Sequence, residues 1–220
     1  VQYLPYFLLP GLAVVDRRFL GKLLISGLAV ALIAALNGWR QTGLSASAGA
    51  GPRWKAALPL LLLVILSALA SNFEVNGPGQ VLYASAYALA IGFSEEAIFR
   101  GLFLQFLLPR GATRAVVLSS LVFGLMHLAN LMVGADLTGT LTQVIYATLI
   151  GICFAGVRLY IGSLWPLIII HALVDFFPKL ALAGVSVGSV DLVSAVIVVG
   201  IQVPFALYGA WLLRRHRRET

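Results

Sequence analysis

The sequence predicts an all-α protein: a polytopic bundle of seven or eight transmembrane helices whose polar centre lies inside the membrane. Three observations lead there. Of the 220 residues, 60% are apolar and only 10% charged, and the mean hydropathy is +0.99. Apolar runs of membrane-spanning length alternate with short loops rich in Gly, Pro and charge. At about 20 residues per span, the length leaves no room for a separate soluble domain, so residues 1–220 read as one integral-membrane domain. Its chemistry-bearing core is 81–177.

The runs follow in order. An apolar run from Tyr3 to Val15 is too short to span alone and reads as the tail of a first helix or an interfacial segment. Phe19–Leu36 spans, and a Gly/Ser/Ala-rich loop over 37–52 leads to Arg53 and Lys55. Ala56–Ala70 returns, and SNFEVNGPGQ over 71–80 is a turn. Val81–Leu108 is a long span closed by Pro109 and a basic loop. Ala115–Val133, Thr140–Val157, Leu164–Phe177 and Val190–Leu213 complete the set, and the chain runs out through a basic tail at 214–218.

The net charge of +7 would suggest a nucleic-acid partner in a soluble protein. Here the basic residues occupy short loops and the tail, so they read as topology signals and contacts to the lipid bilayer, with no nucleic acid as partner. A cytoplasmic tail places Arg40, Arg53, Lys55, Arg110, Arg114 and Arg158 on the same side. Arg17, Arg18, Lys22 and Lys179 fall outside, against Glu74, Asp136 and Asp191. That is a positive-inside pattern, with the first helix as its exception. It fits an integral protein of a cell inner membrane with its C-terminus in the cytoplasm. Cys153 is the sole cysteine, which excludes an internal disulfide; its neighbours Ile152 and Phe154 supply nothing to activate it as a nucleophile.

Within the spans a few polar groups stand out. Glu95, Glu96 and Arg100 share the run IGFSEEAIFRG over 91–101. An ionisable residue at the centre of a transmembrane helix costs about 2.5–3.5 kcal/mol by insertion scales, so it marks a functional site by default. Glu96 and Arg100 are four apart and can pair on one face. Glu95 lies about 100° round the helix from Glu96 and is free to address something else. His127 sits on the span of 115–133; His171 and Asp175, four apart, share a face of another. A lone membrane histidine is commonly a packing hydrogen bond. Two of them with an acid pair and an aspartate, in a chain this apolar, favour chemistry.

These residues fall into three motifs. SEEAIFRG, with Glu95, Glu96 and Arg100, resembles the Glu-Glu-x-x-x-Arg motif of the CAAX prenyl endopeptidase and bacteriocin-processing (CPBP, or Abi) family of glutamic intramembrane proteases. FGLMH, from Phe123 to His127, is similar to its Phe-x-x-x-His motif, and HALVD, from His171 to Asp175, to its His-x-x-x-Asn/Asp motif. All three stand in the family's order, each on its own span, and the conjunction is specific where each motif alone is weak.

The resemblance implies hydrolysis of a peptide bond, inside the membrane, in a membrane-associated protein or peptide. It implies Glu95 as general base on a water with help from His127, and His171 with Asp175 as oxyanion binders. Glu96, Arg100 and Phe123 would be structural support, with no cofactor and no metal. Asp175 stands where founding members of the family have Asn; it can donate to an oxyanion only when protonated, or else orient His171. Two other readings compete. Glu95, His127, His171 and Asp175 are all possible Zn²⁺ ligands, as in an intramembrane metalloprotease, although no H-E-x-x-H helix is present. The same polar groups could instead serve a proton-coupled transporter, for which the expected internal repeat is missing, or a non-catalytic scaffold. Ser94, beside the acid pair, lacks the sequence setting of a serine nucleophile.

Overall fold

The computed structural model describes residues 4–9, 11–45, 52–181 and 190–219. Tyr3 and Pro10 of the first apolar run, and residues 46–51 of the loop expected over 37–52, lie outside the described residues. Everything regular among the described residues is helical. In chain order the helices are α1 (Leu4–Leu8), α2 (Val14–Ala35), α3 (Trp39–Thr42), α4 (Leu61–Ala70), α5 (Pro78–Glu96), α6 (Leu104–Leu107), α7 (Ala112–Leu125), α8 (Leu137–Ile161), α9 (Trp165–Ala181) and α10 (Leu192–Glu219). A 3-10 segment, Pro52–Leu60, leads into α4, and another, Met126–Val133, continues α7. A π-helical stretch, Ala97–Phe103, joins α5 to α6.

Among the described residues, five helical stretches are long and apolar enough to cross a membrane: Asp16–Ala35, Arg53–Ala70, Ala112–Val133, Leu137–Ile161 and Leu192–Glu219. The other two runs expected to span are also helical. One holds Glu95, Glu96 and Arg100, which interrupt its apolar character, and the other, α9, is 17 residues long. Large apolar side chains point outward from several of these helices, among them Leu62, Leu69, Ile197 and Leu207. In water that exposure would be a liability; against lipid tails it is the ordinary state of a spanning helix.

The chain divides into two compact units, one of residues 1–46, 57–101 and 164–185, the other of 47–56, 102–163 and 186–220. In the first, α5 is the centre, with α9 and α2 packed on it and α4 on α9. Pro78 starts α5 where its missing N–H costs nothing, following Gly77 at φ +138°. Gly92 sets the distance to α9: a Cβ there would stand 2.8 Å from the Ile168 carbonyl oxygen and 2.9 Å from the Ala172 nitrogen. Polar side chains tie the other neighbours. Ser67 Oγ donates to the Val174 carbonyl (2.5 Å) and Gln80 Nε2 to that of Leu180 (2.8 Å). The start of α9 is held by Leu164 N–H on the Gly43 carbonyl and Trp165 Nε1–H on the Leu44 carbonyl, both 2.9 Å. Phe19 of α2 packs its ring against Tyr83 and Tyr87 of α5 at 5.4 Å each.

In the second unit α8 packs on both α7 and α10. Small residues make the approaches close, as is usual where lipid supplies no hydrophobic drive. Gly151 meets Ser120, Gly124 meets Thr148, and Gly156 meets Gly209 backbone to backbone. Leu104, Leu107, Val116, Ala155, Leu159 and Leu213 fill the core beside them. The sole cysteine, Cys153, is buried in α8.

Candidate active site

The acid pair ends α5, and the π-helical stretch begins at the next residue. Such stretches are rare and recur at functional sites. Arg100, on the π stretch, donates through a terminal guanidinium nitrogen to Glu96 Oε1 at 3.0 Å. Both side chains are sealed from solvent, Arg100 at 1% and Glu96 at 0% exposure. The spacing read from the sequence thus yields the expected pair.

That same carboxylate reaches α9. His171 Nδ1 stands 2.7 Å from Glu96 Oε1. An Arg-paired carboxylate oxygen accepts and does not donate, so the proton on that side of the ring belongs to Nδ1. Glu96 therefore fixes the position of the His171 ring and holds a proton on its Nδ1. Nε2, on the far side of the ring, is left 3.7 Å from Glu95 Oε2. This is too long for a direct hydrogen bond and short enough for one water to bridge. Between them the two glutamates bracket one imidazole.

Glu95, turned away from the Glu96–Arg100 pair as its helical angle allowed, addresses a different helix. Lys22 Nζ of α2 contacts its Oε1 at 2.6 Å, with the two side chains 18% and 15% exposed. Lys22 is the residue whose part sequence reasoning missed: counted only as a topology charge, it turns towards α5 to meet Glu95. The signal was there. A lone ammonium inside an apolar helix needs a partner or a water-filled setting.

Asp175 lies one turn beyond His171, half-buried, and makes no hydrogen bond or ion pair among the described residues. No hydrogen bond among the described residues joins the two: His171 is held by Glu96. Ser94 is fully buried and donates to the Ile91 carbonyl of its own helix at 3.1 Å, a packing role.

His127 belongs to the second unit. It sits in the 3-10 segment after α7, with Nδ1 at 3.0 Å from the Phe123 carbonyl oxygen. A carbonyl only accepts, so Nδ1 donates and the neutral ring presents Nε2 as its acceptor. The Phe123 ring stands edge-on to it, 5.2 Å away at 88°. Four-residue spacing therefore gives Phe123 two holds on His127, one through its carbonyl and one through its ring. Among the described residues no three His, Cys, Asp or Glu side chains gather as a set that could hold a metal ion, so nothing in the geometry favours the zinc reading.

Comparison with family models matches residues 77–177 to one described as type II CAAX prenyl endopeptidase Rce1-like. No curated protein and no solved structure matches the chain significantly. The matched stretch contains Glu95, Glu96, Arg100, Phe123, His127, His171 and Asp175, and leaves out Lys22. Residues 77–177 are thus similar to the Rce1-like members of the CPBP family, a family of proteases.

Proposed function

We propose that the protein is an intramembrane endopeptidase of the glutamic type, hydrolysing a peptide bond in a membrane-associated protein or peptide. It works in a cell inner membrane with its C-terminus in the cytoplasm. Supporting this above all is the bracketing of His171 by Glu95 and Glu96, which sets a carboxylate oxygen and a ring nitrogen 3.7 Å apart. In this reading Glu95 Oε2 takes a proton from water while the water oxygen attacks the scissile carbonyl. Charge then develops on the carbonyl oxygen and is bound by donors: His171 as the imidazolium, with Nδ1–H on Glu96 and Nε2–H turned to the oxyanion, together with Asp175 in its protonated form. Collapse of the tetrahedral intermediate breaks the C–N bond, and Glu95 returns its proton to the leaving amine. The family resemblance gives His127 the part of assisting the water, and Phe123 holds its ring with Nε2 as acceptor. Glu96, Arg100 and Phe123 keep the two histidines in place, and neither metal nor cofactor enters the reaction.

The test is cleavage by purified protein in liposomes, offered a peptide with a prenylated C-terminal cysteine and its unprenylated counterpart. Glu95→Gln keeps the side-chain shape and removes the base, so it should fold and lose cleavage by at least about 100-fold, the lower range for general-base catalysis. Cleavage retained by Glu95→Gln would remove Glu95 as the base. The ratio of the two peptides decides whether a prenyl group is read.

A further inference from the structure

Glu95 stands beside a second carboxylate, Glu96, which is engaged from two sides. Arg100 serves Glu96, and His171 is held at Nδ1 by the same Glu96 oxygen. Lys22 meets Glu95 from a different helix, at Oε1. The other oxygen, Oε2, is the one on the His171 side. An ammonium is a point donor on a long stem, so it can neutralise a carboxylate at one oxygen and leave the second to accept from something else.

The contact is built into the helix packing. Phe19, Lys22 and Ser26 are spaced three and four apart and so share one face of α2. Phe19 packs on Tyr83 and Tyr87 of α5, and Ser26 Oγ lies 2.8 Å from the Lys22 carbonyl and 3.4 Å from that of Ala90. Contacts above and below Lys22 thus dock α2 on α5 at the height of Glu95.

We infer that Lys22 is a positioning residue for the reaction: by holding Glu95 Oε1 it turns Oε2 towards His171 and so aims the base. This rests on the reading of Glu95 as the base. It extends the functional site to α2, outside the stretch that matches the family. A positioning role touches the chemical step more than substrate affinity. Lys22→Met should therefore lower kcat by about 10- to 100-fold, the scale of a misplacement of about 1 Å, with KM within about twofold. Lys22→Arg, which keeps a donor of the same charge, should recover most of kcat.

In parallel, thermal unfolding in detergent reads the contact itself. Lys22→Met should lower the midpoint less in a Glu95→Gln background than in the wild type, because the partner charge is already gone. A Lys22→Met enzyme with wild-type kcat overturns the inference. So does a loss of kcat that Lys22→Arg leaves unrepaired, or a loss confined to KM. These outcomes are separable from failure of the base assignment. If Glu95→Gln still cleaves, that assignment falls; if Glu95→Gln is dead and Lys22→Met is normal, only the role of Lys22 falls.

Discussion

At the scale of single residues, the second glutamate of the pair does more than neutralise an arginine. Glu96 Oε1 accepts from both Arg100 and His171, and its Oε2 is buried without a hydrogen-bond partner among the described residues. A carboxylate in that position is tolerable only while its cation stays. Removing one partner of a buried pair costs about 3–5 kcal/mol, because the other charge is left uncompensated. Arg100→Met should accordingly lower the thermal midpoint in detergent markedly, and also impair cleavage, since His171 loses its anchor. An Arg100→Met protein as stable as the wild type would show that Glu96 does not depend on this partner. The reason for Glu-x-x-x-Arg spacing is then physical: one helical turn lets the arginine satisfy a carboxylate whose real task is on the next helix.

At the scale of elements, the decisive joint is the one between α5 and α9. It is closed by the absence of a side chain at Gly92, three residues before Glu95. The atoms a Cβ would meet at 2.8 and 2.9 Å are backbone, which cannot swing aside as a side-chain tip can. Gly92→Ala should therefore push α9 away. A destabilisation of about 1–3 kcal/mol is the usual scale of overpacking. The parting would also lengthen the 2.7 Å contact between His171 and Glu96. Loss of cleavage together with a lowered thermal midpoint is the expected result; an unchanged midpoint and rate would mean that the helices are not set by this glycine. The same device recurs at Gly156 and Gly209 of α8 and α10, away from the acid pair in sequence, where it serves packing alone.

At the scale of the whole molecule, the question is how the helices sit across a bilayer. From Ala112 to Val133 the chain has 14 α-helical and 8 3-10 residues. With rises of 1.5 and 2.0 Å per residue this reaches about 37 Å, enough for a hydrocarbon core of about 30 Å. The loop at Arg110 and the turn at Ala135, both exposed, should then lie on opposite sides. With Cys153 replaced by Ala, the proposed orientation can be read by a membrane-impermeant maleimide. In intact spheroplasts it should label Ala135→Cys and spare Arg110→Cys, which reacts only once the membrane is opened. The reverse pattern would invert the proposed topology.

Much of this protein was legible without coordinates, for a reason that holds residue by residue. Membrane character follows from composition, and the pairing of Glu96 with Arg100 follows from helical spacing; both are local, so the chain determines them wherever it folds. The grip of Phe123 on His127 is local too, across a single turn. What the tertiary structure alone decided is which helix answers which. His171 is oriented by Glu96, from another helix, and not by Asp175 on its own; Glu95 meets Lys22, 73 positions earlier. Those partners depend on the register of one helix against another. Register is fixed by close approaches such as that at Gly92 and by rings such as Phe19 against Tyr83, and neither is written in the spacing of any one segment.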